Sequence, residues 1–141
     1  MDTKFSMTLH ILVYINETSN AVTSELLAKS VGTNASHIRK ILALLKEAGI
    51  IESQQGKKGI TLKKKANELT LDKIYYAVYP EKEILHIHDT ANKDCPVGAN
   101  IKEVLLPIFE ESERQLILKL KSITLKSLID DMYKIYNKNN K

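Results

Sequence analysis

The chain has 141 residues, enough for one modest domain or a small domain with an appended element, and its 43% apolar residues allow a buried core. Lys and Arg number 21 against 17 Asp and Glu, so the net charge of +4 is mild and its placement matters more than its sum. No apolar run reaches the roughly 18 residues of a bilayer span, and the start lacks the pattern of a signal peptide. A single cysteine excludes an internal disulfide framework and any iron–sulfur or zinc site built from several thiolates of one chain. Together these features predict a soluble, reduced, cytoplasmic protein.

Residues 5–17 carry apolar side chains too densely for a strand, with no breaker, and read as a largely buried helix. Thr23 is placed to cap a short helix through Ser30, with Glu25 complementing the positive helix start. Gly32 ends that helix by supplying a left-handed residue. Residues 35–48 show clean helical spacing: Ile38, Ile41, Leu42 and Leu45 form one stripe, while Ser36, Lys40 and Glu47 lie opposite. After Gly49, residues 50–54 and 60–62 are β-prone runs around a glycine-bracketed loop, which is the pattern of a hairpin. Thr70 is expected to cap a helix over 71–78 that Pro80 terminates, and residues 83–88 suit a short strand or extended link. A long helix is expected over 97–120, kinked or restarted at Pro107. Thr124 then caps a last amphipathic helix carrying Leu125, Leu128, Ile129, Met132 and Ile135. These late helices exceed what a small N-terminal module needs, and their natural use is a partner's surface.

Three helices followed by a hairpin are the outline of a winged helix-turn-helix, a mostly α fold with a small β-hairpin and here a long C-terminal dimerisation helix. Ala28, Gly32 and Ile38 carry the local case. A small residue is needed where the two helices cross, a glycine at the tight turn, and a branched apolar residue to seat the second helix on the first. Leu27, Val31 and Ile41 fill the flanking apolar positions. Between Ser53 and Lys65 stand Lys57, Lys58, Lys63, Lys64 and Lys65 without any acid, and the preceding helix adds Arg39 and Lys40. Such a cationic edge suits the phosphates of double-stranded DNA, with the helix in the major groove and the wing beside it. The candidate DNA contacts are Thr23, Ser24, Thr33, Asn34, Ser36, His37, Arg39, Lys40, Lys57 and Lys58, of which Arg39 suits a bidentate guanine contact. A solvated charge run over a covered core is the plain alternative for Lys63 to Lys65. Enzymatic readings find no glycine-rich phosphate loop, no nucleophile elbow and no HExxH pair.

Several stretches resemble a known family. These are Phe5-Ser6-Met7-Thr8-Leu9-His10-Ile11-Leu12, Leu26-Leu27-Ala28, Thr33-Asn34-Ala35-Ser36-His37-Ile38-Arg39-Lys40-Ile41-Leu42 and Leu45-Lys46-Glu47-Ala48-Gly49-Ile50-Ile51. With Leu69-Thr70-Leu71-Asp72-Lys73-Ile74 and Cys95-Pro96-Val97-Gly98, they look like the Rrf-two (Rrf2) family of bacterial winged-helix transcriptional regulators over nearly the whole chain. The resemblance implies a homodimer crossed through the long C-terminal helix, binding imperfect palindromes and usually repressing. Many relatives carry extra glycine and an arginine where this wing has Gly56-Lys57-Lys58-Gly59. Several hold an iron–sulfur cluster on three closely spaced cysteines, of which this chain keeps only Cys95, so no cofactor is expected. Another branch uses histidine and glutamate of the first helix with cysteine, a pattern that reaches only His10 and Cys95 here.

Cys95 precedes Pro96 and a helix start whose dipole can stabilise a thiolate, giving either a redox or electrophile switch or an ordinary thiol at a helix entrance. His86 and His88 share one face if their stretch is extended. With Cys95 they could line an effector or small metal site, although packing or surface histidines are the commoner reading. Tyr75, Tyr76 and Tyr79 read as packing that joins parts of the fold. The resulting organisation is a DNA-binding domain over 1–80, a linker and effector loop over 81–96, dimerisation helices over 97–136 and a polar tail over 137–141. The expected function is a sequence-specific homodimeric regulator on a palindromic operator, with an unknown small-molecule or oxidant effector and no membrane partner. The alternatives are an adaptor whose helix-turn-helix no longer reads DNA, or a single-thiol redox sensor.

Overall fold

The computed structural model describes residues 2–54, 59–81 and 84–140. Its elements in order are α1 (Lys4–Glu17), α2 (Ser24–Val31), α3 (Ala35–Glu47), β1 (Ile51–Gln54), β2 (Gly59–Leu62), α4 (Leu71–Val78), α5 (Pro96–Lys121) and α6 (Leu125–Asn139). A short 3-10 turn, Ala66–Glu68, joins β2 to α4. The fold is mostly helical with one antiparallel strand pair, and β1 aligns with β2 in the register Ile51 to Leu62 through Gln54 to Gly59.

The apolar stripe of each early helix becomes the core. Ile11, Leu12 and Ile15 of α1, Leu27 and Ala28 of α2, and Ile38, Ile41, Leu42 and Leu45 of α3 are all buried in one cluster. Thr8, the one buried polar residue of that group, satisfies its hydroxyl by donating to the Lys4 carbonyl at 2.7 Å. Ala28 and Ile38 take the crossing and seating positions that their sizes predict, and Gly32 between them adopts φ +86, where a β-carbon is disfavoured.

Gly59 has a second reason to be glycine. It adopts φ +59 at the start of β2, and a β-carbon there would lie 2.5 Å from the Val22 carbonyl oxygen. The close approach lets the Ile60 N–H donate to that oxygen at 3.1 Å, so the segment before α2 is fastened to the strand pair. At the other end of the ladder, Lys63 N–H donates to the Ile50 carbonyl at 2.8 Å.

One expectation about the later chain changes. Thr70 stands at the N-cap position of α4, but its side chain makes no capping bond. Its neighbours pair with those of Thr124, through Leu71 N–H to Ile123 O at 2.9 Å and Leu125 N–H to Leu69 O at 2.8 Å, and the Thr70 hydroxyl is buried without a hydrogen-bond partner among the described residues. Of the strand or link expected over 83–88, residues 84–88 form the link (residue 83 lies outside the described residues), and Glu113 of α5 takes the N–H groups of Ile84 and Leu85. The cap expected of Thr124 does form, accepting from Ser127 N–H at 3.2 Å.

Through this pairing α6 lays Leu125 and Ile129 into the core of residues 1–80. Its outer face leaves Met132, Tyr133, Ile135 and Tyr136 exposed. Helix α5 runs unbroken through Pro107, which excludes a restart there, and none of its 26 residues is buried. Tyr75 packs edge-on against Phe5, with ring centroids 5.2 Å apart, and lies 4.8 Å from Tyr79; the Tyr79 hydroxyl donates to Asp2. The tyrosines of α4 thus clamp the start of α1. Among the described residues, no helix is long and apolar enough to cross a membrane.

Candidate nucleic-acid interface

Burial of one stripe of α3 forces the other outward. With Ile38, Ile41, Leu42 and Leu45 buried, Ser36, Arg39 and Lys40 stand exposed, and His37 is half-buried at the margin. Asn34 accepts the His37 N–H at 2.8 Å, and Thr23 accepts the Leu26 N–H at 3.2 Å. Each cap uses an oxygen as acceptor. The Asn34 amide and the Thr23 hydroxyl therefore keep donor hydrogens, which suit phosphate oxygens beside two helix N-termini. Thr33 and Ser24 are half-buried next to these caps. All of these residues lie at the starts of α2 and α3 or on the turn between them.

Beyond β2, Lys63, Lys64 and Lys65 are exposed, and the Lys63 N–H is bonded to Ile50, just past the end of α3. Lys57 and Lys58, the expected wing-tip contacts, lie outside the described residues.

Arg39 has a partner that sequence reasoning missed. Its Nη2 donates to Glu25 Oε1 at 3.0 Å, tying α3 to the first turn of α2. The Glu25 carboxyl is held below the usual carboxylate range by its own backbone N–H, then by Arg39 and by the Ser24 hydroxyl, which donates to Oε2 at 3.2 Å. Glu25 is legible in the sequence only as a favourable first-turn acid. Its pairing with Arg39, fourteen positions later, requires the turn to bring the two helices together.

The residues expected to sense something are scattered. Cys95 is exposed at the N-cap position of α5, where the backbone N–H groups of Gly98 and Val97 hold its thiol below the ordinary range. His86 and His88 follow the segment that Glu113 straps to α5, and Ile87 between them lines a groove with Lys102 and Leu106 of that helix. Among the described residues, no three His, Cys, Asp or Glu side chains gather where a metal ion could bind, so these three do not form the small site considered above. His10 is exposed on α1 and hydrogen-bonds Ser30 of α2 at 2.9 Å, joining the first helix to the recognition unit. An apolar groove of about 490 Å³ opens beside it, between Leu9, Val13, Leu128 and Met132.

Comparison with known proteins agrees with this architecture. Residues 1–131 match the family model Rrf2, described as iron-dependent transcriptional regulator. The chain is 32% identical over 133 residues, 94% of this chain and 99% of the relative, to a Bacillus subtilis (strain 168) protein provisionally named HTH-type transcriptional regulator YwnA. Among solved structures it is similar to IscR of T. potens, with TM-score 0.68 and 18% identity over 94% of this chain and 87% of that one. It is also similar to CymR, the global cysteine regulator of B. subtilis, with TM-score 0.66 and 16% identity over 92% and 95% of the respective chains. The donors do not fit the iron in the family description. The chain has one thiol, and among the described residues no three His, Cys, Asp or Glu side chains converge as a cluster's ligands do.

Proposed function

This chain belongs to the Rrf2 family of transcriptional regulators, which are not enzymes, and we propose that it acts as a homodimeric, sequence-specific repressor on a palindromic operator in the cytoplasm. The observation that carries the reading is the exposed polar and cationic face of α3, with Ser36, Arg39 and Lys40 outward, together with the exposed Lys63 to Lys65 after β2. The organisation proposed is a DNA-binding head over residues 1–80, a connecting loop over 81–96 and the pairing surface on the helices that follow. Two recognition helices about 34 Å apart enter successive major grooves, and the bound dimer excludes polymerase sterically. DNA contacts come from Ser36, His37, Arg39 and Lys40, with Thr23, Ser24, Thr33 and Asn34 at the helix starts and Lys57 and Lys58 on the wing.

Helix α5 supports pairing. Val97, Val104 and Ile108 are exposed at spacings of seven and four residues, which puts them along one line of the helix. Each is already partly covered and gains about 1–2 kcal/mol if fully buried, and a second copy of α5 supplies the matching surface. A response to oxidant rests on Cys95, which is exposed and favoured as thiolate: peroxide would oxidise it to a sulfenate and release water. No cofactor is proposed.

Purified full chain mixed with fragmented genomic DNA of its source, captured and sequenced, is expected to enrich one inverted repeat. Its affinity should fall linearly in log–log form with salt, and sedimentation should give twice the chain mass. Salt-insensitive binding without an enriched motif would favour the adaptor reading, in which the basic face meets an acidic protein.

A further inference from the structure

Arg39 is the residue of the outer α3 face best suited to a guanine, yet it is already engaged by Glu25. Stability does not explain the pair. The side chains are 58% and 67% exposed, and an ion pair that open to water contributes little to folding. The carboxylate is nevertheless well fixed. Ser24 donates to its second oxygen, and the helix that carries it is anchored in the core by Leu27 and Ala28.

We infer that Glu25 is a specificity-determining positioning residue, which fixes the Arg39 guanidinium for one base edge and withholds its charge from phosphates. The inference rests on the DNA-binding reading above. An unpaired arginine on this face would seek a phosphate on any sequence and add one released counterion to non-specific binding. Paired with Glu25, the two side chains are together close to neutral, so that contribution disappears. The guanidinium has five N–H donors and spends one on Glu25, which leaves others for the O6 and N7 acceptors of guanine. Adenine presents an amino donor where guanine has O6, so the held arginine meets a donor and has no phosphate contact to fall back on.

The test uses the full chain and a random-sequence duplex pool. Wild type and Glu25→Gln are each put through selection, then titrated by fluorescence anisotropy against the enriched duplex and against a copy with the critical guanine pair replaced. Glu25→Gln is expected to bind the replaced duplex about fivefold more tightly at 0.15 M salt, with a log–log salt slope steeper by about 0.9. Binding to the enriched duplex should change little, so discrimination falls about fivefold. In an Arg39→Ala background, Glu25→Gln should leave discrimination at that pair unchanged, and the thermal midpoint should move in neither background. Wild-type discrimination and slope retained in Glu25→Gln would overturn the inference. So would equal strengthening on both duplexes, which is simple repulsion, or equal weakening, which is scaffolding. A wild-type chain that enriches no motif would overturn the DNA-binding reading and this inference with it. An enriched motif that Glu25→Gln leaves untouched defeats the inference alone.

Discussion

Gly59→Ala separates backbone strain from steric contact in the wing, with Gly32→Ala as its control. Both glycines are left-handed, at φ +59 and φ +86, but only Gly59 has neighbours at the β-carbon position. A left-handed alanine costs about 1–2 kcal/mol, and the stiffer unfolded chain returns about 0.4–1, so Gly32→Ala should cost about 1 kcal/mol. At Gly59 the new β-carbon would sit 2.5 Å from the Val22 oxygen and 2.8 Å from the Val22 nitrogen, both backbone atoms that cannot swing aside. The strand must withdraw, stretching the 3.1 Å bond from Ile60 N–H to Val22 O. Losing that bond adds about 0.5–1.5 kcal/mol, and imperfect repacking of Val22 and Ile60 brings the excess over the control to about 1–2 kcal/mol. Urea denaturation followed by circular dichroism, at one protein concentration, should place the Gly59→Ala midpoint about 0.5–1 M below that of Gly32→Ala. Equal midpoints would refute the argument that close approach, rather than φ alone, requires glycine at the wing.

Three other outcomes are expected. Replacing Lys57 and Lys58 together by alanine should weaken binding to all duplexes alike and flatten the log–log salt slope by about 1.8, measured by anisotropy across a salt series. Val104→Asp with Ile108→Asp should convert the proposed dimer to monomer in sedimentation velocity while circular dichroism stays unchanged, because neither side chain is buried within one chain. Alkylation of Cys95 by iodoacetamide should rise with pH to a midpoint below the ordinary thiol value of about 8.5, since the Gly98 and Val97 N–H groups favour the thiolate; a midpoint at or above that value would remove the basis for oxidant sensing.

Features governed by near neighbours along the chain were legible from the residues alone. Helical spacing at Ile38, Ile41, Leu42 and Leu45 marked both the buried stripe and, by geometry, the outward face of the recognition helix. Gly32 and the caps at Thr23 and Thr124 are equally local, since each depends on contacts within a few residues. Thr70 marks where such reasoning stops. Its local pattern is that of a cap, but its hydroxyl accepts no first-turn N–H, and the residues flanking it pair with those flanking Thr124, far along the sequence.

By itself, then, the order of residues determined the helices and the strand pair, the apolar stripe of each early helix and the placement of cationic residues along the chain, because period, turn chemistry and charge are short-range properties. Only the tertiary structure decided that Arg39 meets Glu25, that Val22 sits against Gly59, that α6 contributes to the core of the head, and that Glu113 straps the segment before His86 to α5. These juxtapositions depend on how whole elements dock. A turn between two helices or a strap across a third sets such distances, and no local pattern encodes them.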